Sequence, residues 1–182
     1  AIKLDIRKFF ANISKQKLLG IISRKAGDQQ MLGLIEEIIF SFSPASEAGI
    51  PLGNLTSQIF ANIYLNELDR FVKHELNVKY YLRYGDDFIL VHQNLEKLKG
   101  LRLSIMRFLK DELRRKLHPK NDKILKAQHG LKFLGVVIWP SSRKLNRRME
   151  DRKNKPAVCV VDSRLNHLTC YLKKFLYINR TI

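Results

Sequence analysis

Cysteine is scarce in this sequence, and long apolar runs are missing. The two cysteines among the 182 residues are Cys159 and Cys170. They form no C-x-x-C pair and no zinc-binding spacing with His167, which argues against a disulfide framework and against a zinc site. No apolar run reaches the length that spans a bilayer, and no signal peptide is visible. These absences predict a protein of a reducing, cytoplasmic compartment that has no membrane partner.

Acidic residues are few relative to basic ones. The chain has 17 Asp and Glu against 34 Lys and Arg, a formal net charge of +17 and a pI of about 10.1. Such an excess favours a polyanionic partner, with nucleic acid ahead of an anionic membrane surface. The densest basic stretch, residues 143–155, contains Arg143, Lys144, Arg147, Arg148, Arg152, Lys153 and Lys155. We expect it to grip nucleic-acid phosphates or to bind a protein partner, with a solvated basic surface as the alternative.

Helical and strand-like hydrophobic patterns both occur along the chain. Helices are predicted from a cap at Asn12 or Ser14 to about residue 25, and at about 29–40, 56–76, 94–117 and 161–182. Strands are predicted at 1–5, 123–126 and 131–139, with a hairpin at 80–91. This mixture predicts the α+β class, with helices packed on a small, mainly antiparallel sheet.

Two adjacent acids stand at the predicted hairpin, in Tyr84-Gly85-Asp86-Asp87. An aromatic and aliphatic run precedes Gly85 and another follows Asp87, which is typical of two short strands joined by a tight turn. Adjacent carboxylates repel each other, and a divalent cation relieves that repulsion. The pattern therefore suggests a metal-dependent phosphoryl-transfer site, with an ordinary Asp-rich turn as the alternative.

A second acid, Asp5, ends the first predicted strand. We expect this strand to lie beside the strand at 80–84, which would place Asp5 next to Asp86. Two metal ions held there could bridge the attacking hydroxyl and the leaving oxygens of a phosphoryl transfer. Arg7 and Lys8 would offer charge to a triphosphate, and the adjacent aromatics at positions 9 and 10 suit a wall against a sugar. The alternative for Asp5 is a strand-end acid without chemistry.

Four segments of the chain resemble motifs of reverse transcriptases, in the family's order. Residues 3–10, Lys-Leu-Asp-Ile-Arg-Lys-Phe-Phe, resemble motif A, and residues 49–58, Gly-Ile-Pro-Leu-Gly-Asn-Leu-Thr-Ser-Gln, resemble motif B. Residues 83–87, Arg-Tyr-Gly-Asp-Asp, resemble motif C, and residues 130–140 resemble motif E, the primer grip. The resemblance implies a polymerase palm, in which a small antiparallel sheet with a ferredoxin-like core packs on helices.

The resemblance also implies a metal site. Asp5 and Asp86 would be ligands of two Mg²⁺ ions, with Mn²⁺ as an alternative ion. Asp87 would be a supporting carboxylate at this site, and the carbonyl of Ile6 a further ligand.

Other roles implied by the resemblance concern the nucleotide and the primer. Ile6, Arg7, Lys8, Phe9, Phe10, Leu52, Gly53 and Gln58 would line the deoxynucleoside triphosphate site. Phe10 falls where the family keeps an aromatic gate against the ribose 2′ hydroxyl. Leu134 and Gly135 would hold the primer end, and Lys123 or Lys120 would protonate the leaving pyrophosphate. The implied partners are a template RNA, a primer or its cDNA, and deoxynucleoside triphosphates.

Two departures in motif B point to a subgroup. Leu52 stands where most reverse transcriptases have Gln, and Gln58 stands where most have Pro. These residues resemble the error-prone enzymes of diversity-generating retroelements, which use a small basic accessory protein. The alternatives are a group II intron, retron or abortive-infection enzyme, or a non-catalytic palm that only binds nucleic acid.

The resemblance implies a division of the chain into three parts. Residues 1–140 would be the palm, residues 141–160 a basic connector, and residues 161–182 the helical start of a thumb or a tail. The family's fingers segment precedes motif A. We therefore expect this chain to be a piece of a longer protein.

Overall fold

A computed structural model describes residues 1–42, 46–51, 53–119, 122–139 and 142–145. The chain divides into two units, one of residues 2–123 and the other of residue 1 with residues 124–182. Among the described residues, none of the helices has both the length and the apolar character needed to cross a membrane.

A four-stranded sheet carries the larger unit. Its strands are β1 (Ile2–Asp5), β2 (Tyr81–Tyr84), β3 (Asp87–Leu90) and the two-residue β4 (Lys123–Ile124), in the order β2-β3-β1-β4. Strand β3 is antiparallel to both β2 and β1. Phe88, Ile89 and Leu90 of β3 are consecutive and buried, so apolar side chains on both faces make β3 an inner strand.

The sheet corrects one prediction about strand neighbours. The first strand was expected to lie beside residues 80–84, but β1 pairs with β3 instead. The polar Arg83 and the exposed Tyr84 make β2 suited to the edge of the sheet, where one side of a strand meets no other strand.

Four helices pack against this sheet or against one another: α1 (Lys15–Ser23), α2 (Gln29–Ser41), α3 (Leu55–Arg70) and α4 (Leu95–Asp111). Ser14, Asp28 and Asn94 cap α1, α2 and α4 by accepting backbone N–H bonds. Helix α3 continues into a wider π-helical turn at Phe71–Glu75. Helix α4 ends six residues earlier than the predicted boundary at 117, and Arg114 adopts a positive φ of 51° beyond it.

The core lies between the sheet and helices α1, α3 and α4. Its largest fully buried side chains include Phe9, Tyr64, Phe88, Leu65 and Leu68. Most apolar side chains of α3 are buried, but Leu55 is 73% and Ile59 50% exposed. The α+β class predicted from the sequence is confirmed.

The described part of the second unit is a small three-stranded antiparallel sheet, made of β5 (Leu131–Phe133), β6 (Val136–Ile138) and β7 (Arg143–Leu145). Residues 131–139 were predicted as one strand and instead form a hairpin. Leu134 and Gly135 are its two turn residues, and both have positive φ, at 48° and 78°. A type I′ turn requires positive φ at both of its central residues. Because the turn uses only two residues, the hydrophobic pattern alone does not show that the chain reverses there.

Several sequence predictions fall outside the described residues. They concern Leu52, Lys120, the basic stretch beyond residue 145 and the helical tail at 161–182. The division at residues 140 and 160 stays a prediction.

Candidate active site

Three acidic residues, Asp5, Asp86 and Asp87, lie where β1 ends and β3 begins. Asp5 is the last residue of β1, and its Cα partner across the ladder is Asp87, the first residue of β3. Directly opposed residues of an antiparallel pair project from the same face, so these two acids share one face of the sheet. Asp86 lies in the turn just before β3, and its carbonyl oxygen accepts a hydrogen bond from the Ile6 N–H at 3.3 Å. Ile6 and Asp86, which are 80 positions apart in sequence, are thus joined.

The electrostatic environment of Asp86 disfavours its charge. Burial raises the pKa of its carboxyl group above the ordinary value, and the negative charges of Asp5 and Asp87 raise it further. A hydrogen bond from its own backbone N–H opposes this shift in part. Among the described residues, no basic side chain contributes to this balance. Asp86 is therefore a half-buried acid whose ionised form a cation would stabilise.

Asp87 differs from Asp86 because it has a cationic neighbour. Lys3 Nζ lies 3.5 Å from Asp87 Oδ2. Burial and the charge of Asp5 still leave the pKa of Asp87 raised, although Lys3 opposes the shift. The other oxygen, Oδ1, is buried and has no hydrogen-bond partner among the described residues. A buried polar atom without a partner is costly, so it marks a place where a ligand can add an interaction.

The acids present fit a cation held mainly by substrate. Within the described ranges, no three His, Cys, Asp or Glu side chains are grouped closely enough to hold a metal ion by themselves. Mg²⁺ does not require such a cage, because it commonly takes one or two carboxylates together with water and substrate phosphates. Asp5 and Asp86 meet that lower requirement. Asp87 is already paired with Lys3, and its supporting role at the site stays a prediction.

The hairpin tip is held by the turn at Gly85 and by a contact between Arg83 and Asp69 that was not predicted from the sequence. Gly85 has a positive φ of 59° at the first turn position, as a type II′ turn requires. Its carbonyl oxygen accepts a hydrogen bond from Arg83 Nη1 at 3.0 Å. Arg83 in turn makes two hydrogen bonds to Asp69 of α3, from Nε at 2.8 Å and from Nη2 at 2.6 Å. The sequence signal for this contact was the two-residue spacing of Tyr81 and Arg83, which places both side chains on one face of a strand.

The two adjacent phenylalanines have different surroundings. Phe9 is 2% exposed and packs in the core, with its ring centroid 6.2 Å from that of Tyr64. The half-buried Phe10 begins a short 3₁₀ turn and meets the Phe9 ring edge-on at 5.5 Å. The ring of Phe9 is enclosed by protein and cannot face a sugar, so the predicted sugar wall stays a prediction for Phe10 alone.

The remaining motif A residues form the turn after β1. Arg7 and Lys8 are exposed, and Lys8 has a positive φ of 45°. Asn12 Nδ2 donates to the Lys8 carbonyl oxygen at 2.8 Å and closes this turn. The Ile6 side chain is buried, so only its backbone is available for the ligand role expected from the sequence.

The motif B segment leads into helix α3. Gly53 is exposed and has a positive φ of 97°, and Gln58 is exposed on the first turns of α3. Leu52 lies outside the described residues.

The other predicted site residues lie at turns and edges. Lys123 is exposed on β4, and Leu134 and Gly135 form the tip of the β5–β6 hairpin in the second unit. Their predicted roles toward pyrophosphate and primer stay predictions.

Comparison with known proteins agrees with the motif pattern. The family described as reverse transcriptase (RNA-dependent DNA polymerase) matches residues 1–138. The group II intron-encoded protein LtrA of Lactococcus lactis subsp. cremoris is 30% identical over 117 residues, covering 53% of this chain and 19% of that protein. Protein YkfC of Escherichia coli K12 is 24% identical over 171 residues, covering 72% of this chain and 44% of that protein.

A third relative matches a shorter part of this chain. The uncharacterized 91 kDa protein in the cob intron of Schizosaccharomyces pombe is 33% identical over 76 residues, covering 38% of this chain and 9% of that protein. The chain thus spans less than half the length of each of these relatives. The match over most of the chain shows that it belongs to the reverse transcriptase family.

Proposed function

We propose that this chain carries the polymerase site of an RNA-directed DNA polymerase. The reaction is attack of a primer 3′ hydroxyl on the α-phosphate of a deoxynucleoside triphosphate, on an RNA template, with pyrophosphate leaving. The observation that carries the proposal is the pairing of Asp5 with Asp87 across β1 and β3, beside Asp86 at the hairpin tip. Membership of the reverse transcriptase family supports it.

Asp5 and Asp86 are the proposed ligands of two Mg²⁺ ions, or of Mn²⁺ in their place. The Ile6 carbonyl and Asp87 would add to the same site. The burial and mutual repulsion that raise the pKa of Asp86 support this assignment, because both are relieved by a cation. When bound, such ions lower the pKa of the attacking hydroxyl and neutralise charge on the leaving pyrophosphate.

The chain's own residues would align the reactants. Arg7 and Lys8, both exposed, offer positive charge to the triphosphate. The partly exposed ring of Phe10 restricts space beside the sugar, and Lys123 donates a proton to the leaving pyrophosphate. These residues bind and orient, which is most of what phosphoryl transfer asks of a protein.

Further contacts are proposed for the base pair and the primer. Gly53, Gln58 and Leu52 would face the incoming nucleotide, and Leu134 with Gly135 would hold the primer end. The positive φ of Gly53 lets the backbone approach a ligand without a Cβ in the way.

Primer extension on an RNA template with Mg²⁺ tests the function. We expect extension by the intact protein and a loss of about 100-fold or more for Asp86→Ala, since an aligning carboxylate is removed from the transition state. The control is Asp111→Ala, which removes an exposed acid at the end of α4. Absence of extension by the parent, with RNA binding retained, would favour the non-catalytic nucleic-acid-binding alternative.

Within the family, we place the chain with the error-prone enzymes of diversity-generating retroelements. The support is Leu52 and Gln58, since a leucine cannot make the polar nucleotide contact that a glutamine makes. This assignment includes a small basic accessory protein as a partner.

A group II intron enzyme is the second candidate. It is favoured by the relatives, one of which is a group II intron-encoded protein while another is encoded in an intron. Sequencing of products from the parent and from Leu52→Gln separates the two. The retroelement assignment predicts frequent misincorporation opposite template adenine, reduced in Leu52→Gln. An unchanged and low error rate in both proteins would support the intron type.

A further inference from the structure

The guanidinium group of Arg83 links the acidic hairpin tip to helix α3. Its Nη1 donates to the carbonyl oxygen of Gly85, at 3.0 Å, and to Asn62 Oδ1, at 3.1 Å. Its Nε and Nη2 each donate to one oxygen of Asp69. The Arg83 side chain is only 11% exposed, so these bonds form in a largely desolvated setting. Charge-assisted, bidentate bonds of this kind are strong and directional.

The partners on α3 are spaced to present one surface to the hairpin. Asn62 and Asp69 are seven residues apart, which is two turns of an α-helix and places them on the same face. Tyr81 and Arg83 are two residues apart on β2, which likewise places them on one face. Tyr81 completes the cluster, because its hydroxyl donates to Asp69 Oδ1 at 2.7 Å. The edge strand is thereby fastened to the helix by polar groups that, apart from the exposed Asn62, are buried or partly buried.

The Gly85 carbonyl belongs to the peptide unit that leads into Asp86. That unit is planar, so a hydrogen bond to its oxygen restrains the orientation of the Asp86 N–H and the direction in which the Asp86 side chain leaves the backbone. Gly85 has a left-handed backbone and no side chain, and a Cβ built on it would contact nothing within 4 Å. Gly85 therefore makes no side-chain contact that holds the hairpin tip. The hydrogen bond from Arg83 to its carbonyl oxygen does hold the tip.

The geometry assigns Arg83 as a positioning residue for Asp86, held in its working orientation by Asp69 and Asn62. This inference rests on the proposed function for its catalytic consequence. The fork shape of the guanidinium is essential, because it spans the carboxylate of Asp69 and the Gly85 carbonyl at once, whereas the ammonium of a lysine is a single point charge. Loss of the fork would leave all three acids in place and the tip misaligned.

Asp69→Asn and Arg83→Lys test the assignment in the intact protein. We expect the primer-extension kcat to fall roughly 10- to 100-fold, the range found when groups that orient metal ligands are changed, with the KM for deoxynucleoside triphosphate within about twofold of the parent. Mn²⁺ binding without substrate is weak when only two carboxylates hold the ion, and electron paramagnetic resonance should show it weakened about tenfold further. Amide hydrogen exchange at residues 85–87 and at Ile6 should quicken, since the tip is released.

The matched control is Glu67→Gln on the same helix. Glu67 pairs with Arg24 of the chain segment after α1, at 3.7 Å, and not with the hairpin. The Glu67→Gln variant loses an Arg partner, as Asp69→Asn does. A general weakening of α3 would therefore appear equally in both variants. The assignment requires that kcat, Mn²⁺ binding and tip exchange change in the Asp69 and Arg83 variants and stay like those of the parent in Glu67→Gln.

Asn62→Ala is a further test variant that removes no charge. It keeps the assignment testable if Asp69→Asn or Arg83→Lys does not fold. Asn62 is exposed, so its loss should leave the melting temperature near that of the parent and still quicken exchange at the tip. Parent-like exchange and Mn²⁺ binding in folded Asp69→Asn and Asn62→Ala would overturn the assignment. If the parent itself does not extend primers, the proposed function fails, while exchange and Mn²⁺ binding still decide the role of Arg83.

Discussion

Asp86 and Asp87 are neighbours in sequence but have unequal partners. Lys3 neutralises part of the charge on Asp87, whereas the charges that shift the pKa of Asp86 are the negative ones of Asp5 and Asp87. Both carboxyl groups have raised pKa values because burial disfavours their ionised forms. The charged state of Asp86 therefore lowers the stability of the metal-free fold, as is common where groups are arranged for function.

Asp86→Asn is expected to stabilise the protein in the absence of metal. A carboxyl whose pKa is raised on folding opposes folding when ionised, above its folded pKa, and ceases to do so when protonated, at pH values below its unfolded pKa. Replacement by the neutral amide removes this opposition at pH 7. Because Asp86 is half exposed and screened, we expect a gain of about 0.5–1 kcal/mol, or about 1–4 °C in Tm, measured by thermal unfolding with EDTA.

Asp87→Asn provides the comparison for this prediction. It should stabilise less than Asp86→Asn, since it also removes the attraction to Lys3. A lower Tm for Asp86→Asn than for the parent would contradict the electrostatic account.

Phe9 and Phe10 are adjacent in sequence but differ in how far their rings are buried. Phe9 is enclosed by the core, while the backbone turn that follows leaves Phe10 half-buried. We expect Phe10→Ala to admit ribonucleotides, because it removes the ring proposed to restrict space beside the sugar. Primer extension with ribonucleoside and deoxyribonucleoside triphosphates measures this, and a tenfold or greater loss of discrimination, about 1.4 kcal/mol, is expected.

Phe9→Leu is the control for the gate. It should lower stability by about 1 kcal/mol through altered core packing and leave sugar discrimination near that of the parent. Equal discrimination in Phe10→Ala and the parent would remove Phe10 from the gate role.

At the scale of elements, the turn after β1 is joined to the segment that precedes α3. The Ile50 N–H donates to the Phe10 carbonyl oxygen at 3.0 Å, and the Gly49 N–H donates to the Ile13 carbonyl oxygen at 2.8 Å. The first bond ties motif A to motif B, and the second joins motif B to the segment that follows motif A. The gate residue is thus held by a backbone contact from the segment proposed to face the nucleotide.

Gly49→Ala is expected to disturb this junction. Gly49 has a φ of 100°, and an added Cβ would lie 3.1 Å from the carbonyl oxygen of Ala11. We expect a loss of about 1–3 kcal/mol in unfolding free energy, measured by urea denaturation, because backbone strain and close contact combine. Gly53→Ala is the matched control, since Gly53 has a similar φ of 97° but open space around a Cβ. Equal losses would mean that strain alone acts and that the contact with Ala11 is unimportant.

Element boundaries were predictable where local chemistry marks them. Ser14, Asp28 and Asn94 begin helices as capping residues do, and the hairpin at Gly85 lies where the apolar pattern breaks. The β5–β6 hairpin was missed, because Leu134 offers no turn signal and Gly135 alone interrupts a continuous apolar run. The end of α4 was placed too late, since Leu113 is buried beyond the last helical turn and so continues the apolar periodicity.

At the scale of the whole molecule, charge is the dominant property. A net charge of +17 on 182 residues favours binding of a polyanion, as membership of the reverse transcriptase family also suggests. Much of this charge is exposed in the described residues, for example on Arg7, Lys8 and Lys123.

Binding of an RNA–DNA template–primer is expected to weaken steeply with salt. Each phosphate contact releases counterions, so the affinity should fall at least about tenfold between 0.1 and 0.3 M KCl. Fluorescence anisotropy with two unrelated template sequences measures this, and both should show the same slope. An affinity that is independent of salt would contradict a phosphate-dominated interface.

The sequence by itself determined the α+β class, the family and the acids of the candidate site, because capping residues, hydrophobic periods and the motif spacing are local and can be read along the chain. Tertiary structure alone decided that β1 lies beside β3, that Phe9 is enclosed while Phe10 is not, and that Arg83 joins the hairpin tip to Asp69. These depend on which distant segments pack together. That choice is made by the total burial and hydrogen bonding of the fold, and no single segment contains it.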